Sequence, residues 1–341
     1  MTRVTTPSAR RTAPRVVGLL AAAVALAAVL VLSIMIGSKS IPPGEVLRLL
    51  LAPEAGENSA IVNGMRLSRT LFGLAAGLAL GMSGSLMQGL TRNPLADPGL
   101  LGVSAGAALG VVLSTMLFGV TSLYGYIWFA FAGALVATTV VYALGGLGRG
   151  GAHPAKLALA GAAVSALLQS AIGAMLLLDA ATLDEYRFWV VGSLNLTDRA
   201  PLLQALPFML AGAVLAVTTA PALNNLSLGD DVARSLGQDV RMVRLRGILA
   251  VTLLAGGATA VCGPIAFIGL VVPHIARAIT GPDHRWVLAY SALLAPVLLL
   301  AADVLGRVLA GRSEIHVGIV VAFLGAPFFI ALVRRRGLPE L

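Results

Sequence analysis

Charged residues are scarce in this chain of 341 residues: Asp, Glu, Lys and Arg make up 11% of it, whereas hydrophobic residues make up 58%. An average soluble domain carries about 25% charged residues. The low charge excludes a water-soluble globule, because such a globule could not bury so much apolar surface. The solvent must be a lipid bilayer. Because a membrane helix takes roughly 20 apolar residues, the composition allows about ten spans.

Cysteine and the common catalytic motifs are also nearly absent. Cys262 is the only cysteine, which excludes an internal disulfide and a cysteine-based metal site, and we expect its side chain to be buried. The chain lacks a Gly-x-x-x-x-Gly-Lys-Ser/Thr phosphate loop and a His-Glu-x-x-His motif. We therefore predict no catalytic residue, no metal ligand and no cofactor. A membrane-embedded enzyme is the weakest of the alternatives.

Apolar segments recur along the chain and predict an all-α polytopic membrane protein with about ten transmembrane helices. The first segment, Val16–Ile36, is longer than the roughly 7–15 apolar residues of a signal peptide, so we interpret it as an uncleaved span. A membrane domain at 16–333 lies between an N-terminal tail, 1–15, and a C-terminal tail, 334–341. The predicted spans are 16–36, 68–89, 99–118, 124–145, 156–178, 201–221, 244–262, 265–280, 287–307 and 316–333.

The surplus of basic residues agrees with this arrangement. The chain has 24 Lys and Arg against 15 Asp and Glu, which in a soluble protein would suggest a nucleic-acid partner. In a membrane protein, Lys and Arg accumulate in the cytoplasmic segments. With the N-terminus inside, about two thirds of the 24 Lys and Arg fall on inner segments. The pattern predicts that both termini are cytoplasmic, that the chain contacts lipid, and that it binds no nucleic acid.

Ionisable residues inside the spans would mark an ion-coupled carrier, because such carriers usually need a buried carboxylate. Asp303 is the deepest candidate, and it lies four residues before Arg307, a spacing that allows an ion pair on one helix. The spans otherwise carry almost no charge, so the sequence argues against ion coupling. An ion-coupled secondary transporter is kept as the alternative from a different class.

A segment rich in helix-breaking residues follows the second span. Residues 91–110 contain Asn-Pro and Asp-Pro-Gly and then many small residues, although Gly costs about 1 kcal/mol in a helix interior. Small residues let helices approach closely, so we predict a tight inner turn followed by a helix with a small, packed face. Gly263-Pro264 and Gly325-Ala326-Pro327 are similar breaks. The sequence leaves open whether such breaks serve packing or line a path for a solute.

Long blocks of this sequence resemble one transport family. RLSRTLFGLAAGLALGMSGSLMQGL and NPLADPGLLGVSAGA, followed by GPIAFIGLVVPHIAR, GPDHR, AADVLGR and LGAPFFIALVRR, are similar in order and spacing to permease subunits of ABC importers for iron-siderophores and vitamin B12. The similarity covers about residues 60–335. One departure is Ser68, which stands where the family usually has the proline of Arg-Leu-Pro-Arg, and which bears on how the second span begins.

The resemblance implies ten spans per subunit and a homodimer, or a pair of homologous permeases, with a translocation path between the two subunits. It implies separate cytoplasmic ATP-binding subunits, an external substrate-binding protein, and location in the plasma membrane of a bacterium. The expected cargo is a ferric siderophore, with haem or cobalamin as alternatives within the family. A separate ATPase agrees with the missing phosphate loop.

The longest inner loop, 222–243, contains Asp-Val-Ala followed by Gly237, which resembles the Glu-Ala-Ala…Gly coupling motif of such permeases. We predict a short helix at 230–236 that ends at this glycine and contacts the ATPase through apolar side chains. Acidic residues at its start suit the helix dipole. The alternative is an amphipathic connector that touches only lipid headgroups. The predicted coupling residues are Asp230, Asp231, Ala233, Arg234, Leu236 and Gly237, and the apolar candidates are Leu228, Val232 and Leu236.

Three arginines lie at predicted outer ends of spans. Arg66 and Arg69 begin the second span and Arg307 ends the ninth. In family relatives the matching arginines pair with acidic residues of the binding protein, so we expect these three to dock it. The alternative is that they only extend to the membrane surface.

Two further assignments concern the path and the outer surface. The segment 179–199 is predicted as an outer interfacial helix, anchored by its aromatic residues Tyr186, Phe188 and Trp189. The predicted path residues are Met82, Met87, Gln88 and Asn93, and for each of them packing in the core is the alternative.

Overall fold

The computed structural model of the protein describes residues 12–120, 122–146, 154–310 and 315–334. Within these ranges all regular structure is helical. A π-helical segment, Ala60–Arg66, joins α3 to α4, and a 3-10 turn, Pro98–Leu101, precedes α5. The α-helices are α1 (Thr12–Met35), α2 (Pro43–Leu51), α3 (Glu57–Ser59), α4 (Leu67–Thr91), α5 (Val103–Phe118), α6 (Leu123–Gly146), α7 (Pro154–Leu178), α8 (Ala180–Trp189), α9 (Ala200–Leu226), α10 (Asp230–Ser235), α11 (Val240–Cys262), α12 (Ile268–Thr280), α13 (His284–Leu309) and α14 (Val317–Arg334).

Every predicted span overlaps one of these helices. Among the described residues, 7 helices are long and apolar enough to cross a membrane, and α5, α12 and α14 are shorter apolar helices. The predicted span at 265–280 corresponds to α12, which has 13 residues and would be roughly 20 Å long. Most of the two predicted tails, residues 1–11 and 335–341, lies outside the described residues.

The start of the second span was predicted too late. In place of a span at 68–89, one continuous helix of 35 residues runs from Glu57 to Thr91. Polar side chains before residue 67 break the apolar pattern, but they bond inward: Asn63 Nδ2 donates to the Leu49 carbonyl at 3.0 Å. Because these side chains find partners, the helix continues through them. Its first turns pack against α2 in a small apolar cluster that includes Val62.

The α4 helix forms the centre of the bundle, where it packs against α9, α11, α12 and α13. Four glycines, Gly73, Gly77, Gly81 and Gly84, lie three or four residues apart, and a Cβ atom on any of them would overlap a neighbouring helix. A Cβ at Gly77 would meet the Pro296 backbone of α13. Small residues at this spacing allow close helix contact in membranes. These small residues therefore let α4 pack closely against its neighbours.

The glycine-rich stretch at 91–110 has the predicted form. A 3-10 turn ends at Gly102, whose φ of 73° favours glycine, and α5 then packs closely along α6. A Cβ at Gly106 would overlap the Gly133 carbonyl, and one at Gly110 would overlap the Phe129 carbonyl. For this stretch the structure favours packing over a path. Cys262 is buried, as expected.

Replacing Gly84 with Ala tests the close approach of α4 to α12. A Cβ there would overlap the Gly269 backbone, so the helices must separate, and overpacking of this kind typically costs about 1–3 kcal/mol. We expect a lower melting temperature of the detergent-purified protein, measured as the monodisperse fraction after heating. Gly173→Ala is the matched control, because a Cβ there meets nothing within 4 Å. Equal melting temperatures for the two variants would contradict the packing described.

Candidate functional site

The short helix α10 has the geometry predicted for a coupling helix. It begins at Asp230 after Gly229 and ends in a two-bond glycine cap. The Gly237 N–H donates to the Arg234 carbonyl at 2.9 Å, and the Gln238 N–H donates to the Ala233 carbonyl at 3.0 Å. This pair of bonds requires a left-handed residue at the position after the cap, and Gly237 has φ of 79°. The predicted helix and its glycine stop are confirmed.

One face of α10 packs against the bundle, and apolar side chains on its opposite face are exposed. Ala233 is fully buried against the bundle. Leu228, Val232 and Leu236 are 62%, 44% and 58% exposed. We call these three residues the apolar ridge. An exposed apolar group beside a buried anchor is typical of a surface that a partner covers.

The Asp230 carboxylate ties α10 to two long helices. Arg244 of α11 donates to both of its oxygens, at 3.0 and 2.8 Å, and Arg92 at the end of α4 donates to Oδ1 at 3.0 Å. Arg234 of α10 lies farther from the carboxylate, at 3.9 Å. Charge-assisted hydrogen bonds such as these are roughly twice as strong as neutral ones. Asp231, in contrast, is 100% exposed and pairs only locally with Arg234 at 2.9 Å among the described residues.

The turn after α4 brings Arg92 to this carboxylate. Arg92 is the left-handed C-cap of α4, with φ of 48°, which redirects the chain into the inner turn. In that turn Asn93 is exposed, and its Oδ1 accepts the Leu95 N–H at 2.9 Å. Asp97 caps the 3-10 turn by accepting the Gly99 N–H at 2.8 Å. Burial raises the pKa of Asp97, and the hydrogen bond from Gly99 partly offsets that rise.

The three arginines for which docking was predicted lie at the other end of the bundle, and their side chains are buried. Arg66, Arg69 and Arg307 are only 3%, 4% and 3% exposed. The continuous helix through Arg66 explains this, because it carries Arg66 and Arg69 inside the bundle. Arg66 donates to the carbonyls of Ile34 and Met35 at 3.1 and 2.8 Å, at the end of α1. Their docking role stays a prediction, and their burial favours a structural one.

Arg69 and Arg307 share one buried carboxylate. Arg69 Nε donates to Asp303 Oδ1 at 3.0 Å, and Arg307 Nη2 lies 3.0 Å from Asp303 Oδ2. The predicted pair at Asp303 and Arg307 is confirmed, and Arg69 joins it from α4. Arg307 also donates to the Ser33 and Ile36 carbonyls, at 2.9 and 2.7 Å, which ties in the end of α1. A carboxylate held between two cations is poorly suited to carry a proton or sodium ion.

The residue that departs from the family pattern has its own contacts here. Ser68 lies inside the continuous helix, where a proline would remove a helical hydrogen bond. Its Oγ donates to the Thr197 carbonyl at 3.2 Å and accepts from Arg199 Nε at 2.8 Å. Arg199 also donates to the Asn63 carbonyl. Ser68 thus joins α4 to the segment before α9.

The predicted path residues do not lie together on an open surface. Met82, Met87 and Gln88 are buried, and Asn93 is exposed in the inner turn. Gln88 Nε2 donates to the Leu270 carbonyl of α12 at 3.1 Å. Met82 lines an apolar groove between α4 and α9. The packing alternative fits the first three positions within a single chain, and the path assignment stays a prediction.

Sequence reasoning missed Arg92 and Arg244 as partners of the coupling helix and Arg69 as a partner of Asp303. Arg92 and Asp230 are 138 residues apart in the chain, and Arg69 and Asp303 are 234 apart. No spacing rule connects residues so distant. The sequence indicated only that these arginines need partners, because each is a charge at the end of an apolar segment. It did not indicate which residues the partners are.

Replacing Asp303 with Asn separates the structural role from the docking role. It leaves two buried guanidinium groups without a carboxylate, and loss of one partner of a buried pair typically costs about 3–5 kcal/mol. We expect a sharp fall in folded protein, measured as protein recovered in detergent after membrane extraction. Asp184→Asn is the control, because its pair with Arg187 is solvent-exposed. If the variant folds normally and only its binding of the external binding protein is lost, the docking role would be favoured over the structural one.

The chain matches the FecCD transport family over residues 25–335. It is 49% identical to the ferric enterobactin transport system permease protein FepD of Escherichia coli (strain K12), over 89% of this chain and 91% of that protein. It is 43% identical to the hemin transport system permease protein HmuU of Yersinia pestis, over 80% of this chain and 82% of that protein.

A solved structure has the same fold. It is an inward-facing conformation of a metal-chelate type ABC transporter, with a TM-score of 0.80 at 28% sequence identity, and the match covers 92% of this chain and 98% of that one. The family consists of transport permeases and not enzymes. Because the family match covers most of the residues, this chain belongs to the FecCD transport family and is a multi-pass inner-membrane permease subunit of a bacterial ABC importer for iron-siderophores or related chelates.

Proposed function

We propose that this permease forms the membrane path for a ferric siderophore that an external binding protein delivers. The similarity to a ferric enterobactin permease and to a metal-chelate transporter supports this cargo. Haem, which the hemin permease carries by its name, and cobalamin are the alternatives. The siderophore itself would supply the iron ligands, so the permease needs none.

We propose that ten helices cross the membrane and that both termini are cytoplasmic. Seven helices have the length for a full crossing, and α5, α12 and α14 would be the remaining, shorter ones. An even number keeps both basic tails on one side, as the distribution of Lys and Arg favours. Under this arrangement α10 lies on the cytoplasmic side, and the buried Arg69–Asp303–Arg307 cluster lies on the outer side.

The observation that carries the proposed coupling is the apolar ridge of α10, which is held to the bundle by Ala233 and Asp230. Leu228, Val232 and Leu236 would enter a groove on the ATP-binding subunit. Movement of that subunit would then pull on Asp230, and through its contacts with Arg92 and Arg244 would move α4 and α11. Gly237 lets the chain turn back sharply, so α10 projects as a separate unit.

A second permease copy, or a homologous permease, would complete the path. Two helices leave most of their surface for lipid or a partner. In the apolar segments of α1 and α7, only 11% and 17% of the residues are buried. Leu177 and Leu178 at the end of α7 are almost fully exposed. Met82, Met87 and Gln88 could line the path only after the neighbouring helices move, whereas Asn93 is already exposed at the inner end.

The three buried arginines would act on docking indirectly. Arg66 holds carbonyls at the end of α1, and Arg307 holds others in the same stretch. These contacts fix the outer segment between α1 and α2, on which a binding protein would rest. Direct pairing with the binding protein would require the arginines to leave their present partners, at the cost of unpaired buried charge.

Uptake of chelated ⁵⁵Fe tests the proposed function. We expect cells that lack this gene to lose uptake, and cells with the gene but with an inactive phosphate loop in the partner ATPase to lose it as well. Uptake that is unaffected by loss of the gene, with redundant importers removed, would reject the iron cargo. Cobalamin uptake would then be measured in the same strains.

Replacing Leu236 with Asp tests whether the apolar ridge binds the ATPase. A charge in the middle of an apolar contact leaves it desolvated and unpaired, so we expect at least a tenfold loss of ATPase subunits that co-purify with the permease. Leu51→Asp is the matched control, because Leu51 is also exposed, at 79%, and lies at the end of α2, far along the chain from α10. Equal co-purification of both variants would contradict the proposed contact.

A further inference from the structure

A groove of about 360 Å³ runs between α4 and α9, and Leu254 of α11 also lines it. Leu203 and Leu210 on the α9 wall are 64% and 57% exposed, so the groove opens at the surface of the bundle. Met82, one of the predicted path residues, lies at one end. Every lining side chain in the described part of the chain is Leu, Ala or Met. A polar chelate would find no hydrogen-bonding side chain among them, which argues against a solute path here.

The groove follows the side of α4 that the other helices leave open. Leu71, Leu74, Ala75 and Leu78 line it and are half-buried, whereas most residues of α4 are buried. These four residues recur at the i, i+3, i+4 and i+7 positions of one helix face. In a multi-pass membrane protein, an apolar face that is left open in this way contacts lipid.

The dimensions of the groove fit one acyl chain. It extends along α4 from Leu71 to Met82, which is roughly 16 Å at 1.5 Å per residue. One leaflet of the hydrocarbon core is about 15 Å thick. Divided by the length of the groove, its volume corresponds to a cross-section of roughly 20 Å². An α-helix with its side chains is about 10 Å wide, so the groove admits a flexible chain and excludes a helix of a second copy.

A guanidinium group lies at the other end of the groove. Arg199 directly precedes α9, and its Nε donates at 2.8 Å to the hydroxyl of Ser68, which lies one turn before Leu71 on the opposite wall. Its Nη2 donates to the Asn63 carbonyl. A guanidinium has more N–H donors than these two bonds use. Because Arg199 is partly exposed, it can also donate to the phosphate of a lipid headgroup.

The other charges near Arg199 decide which headgroup fits. Arg66 and Arg69 of the neighbouring helix are buried and hold other partners. Asp198 is exposed, and its carboxylate accepts the N–H at the start of α9 at 3.0 Å. Arg199 and Asp198 therefore place opposite charges side by side. A headgroup that carries a phosphate with an ammonium group beside it matches this pair.

We propose that the groove between α4 and α9 binds one zwitterionic phospholipid, with an acyl chain along the groove and the phosphate on Arg199. The ammonium group of the headgroup pairs with Asp198. The bound chain completes the packing around α4, the central helix of the bundle. Under the proposed orientation the lipid belongs to the outer leaflet. The site is independent of the cargo that the permease carries.

Native mass spectrometry of the full-length permease, purified in detergent and stripped of lipid, tests the site. The probes are dioleoyl-phosphatidylethanolamine and dioleoylglycerol, which has the same chains without the phosphate and the ammonium group. The readout is the dissociation constant of the first bound lipid molecule. We expect the wild type to bind the phospholipid about fivefold more tightly than the diacylglycerol, which is in the range of a solvent-exposed ion pair.

Filling the groove tests where the chain lies. Ala75→Phe fills it from the α4 wall, and we expect it to weaken binding of both lipids at least tenfold. Ala213→Phe fills it from the α9 wall and should have the same effect, which keeps the test valid if one variant does not fold. Ala166→Phe is the matched control, because Ala166 is exposed on α7, outside the groove.

Removing the guanidinium tests the headgroup contact. Arg199→Gln should abolish the preference for the phospholipid and leave the binding of the diacylglycerol unchanged. Because both lipids are compared on the same variant, a general loss of stability does not alter the ratio of their dissociation constants. Arg187→Gln is the matched control, since Arg187 is an arginine of α8 with an exposed partner, and it should keep the preference.

Four results would overturn the proposed site. If the wild type binds both lipids equally, the phosphate is not recognised. If the two groove-filling variants bind the first lipid as tightly as the Ala166→Phe control, the chain does not lie in the groove. If they instead convert a dimer to a monomer at unchanged lipid affinity, the groove is an interface between two copies. If Arg187→Gln lowers the preference as much as Arg199→Gln, the effect belongs to the general surface charge.

Discussion

The structure depends on how charge is held at the two ends of α4. At one end, Arg69 shares the Asp303 carboxylate with Arg307, and at the other end, Arg92 shares the Asp230 carboxylate with Arg244. Arg69 and Arg92 are separated by roughly 35 Å of helix at 1.5 Å per residue, which is about the thickness of a bilayer. Between them the helix carries a glycine-lined, tightly packed face. Both carboxylates come from other helices, so α4 is tied to its neighbours at each membrane surface.

Under the proposed coupling, this arrangement would give α4 a mechanical part in transport. The outer cluster joins α4, α13 and the end of α1, and burial makes it costly to break. The other cluster is only partly buried and includes α10, for which we propose contact with the ATPase. A displacement of α10 would therefore move the inner end of α4 more readily than the outer end. Under the proposed coupling to a cytoplasmic ATPase, such a difference would open and close the path from the inside.

Local rules predicted much of this from sequence. Apolar length placed each long helix, and the requirement for a left-handed residue placed the end of α10 at Gly237. The i,i+4 spacing predicted the Asp303–Arg307 pair. The same rules failed where residues far apart in the chain meet: Asp303 with Arg69, and Asp230 with Arg92 and Arg244. They also failed before residue 67, because Asn63 and Arg66 look like loop residues until their carbonyl partners on α2 and α1 are known.

The central claim is that the Asp230 carboxylate transmits the movement of α10 to α4 and α11. The most direct measurement is substrate transported per ATP hydrolysed, in proteoliposomes that contain the complete importer. We predict that Asp230→Asn keeps ATP hydrolysis within about twofold of wild type and lowers transport per ATP at least tenfold, because the charge-assisted contacts are lost. Asp231→Asn, whose carboxylate is fully exposed, should behave as wild type. Equal transport per ATP in the two variants would contradict the account.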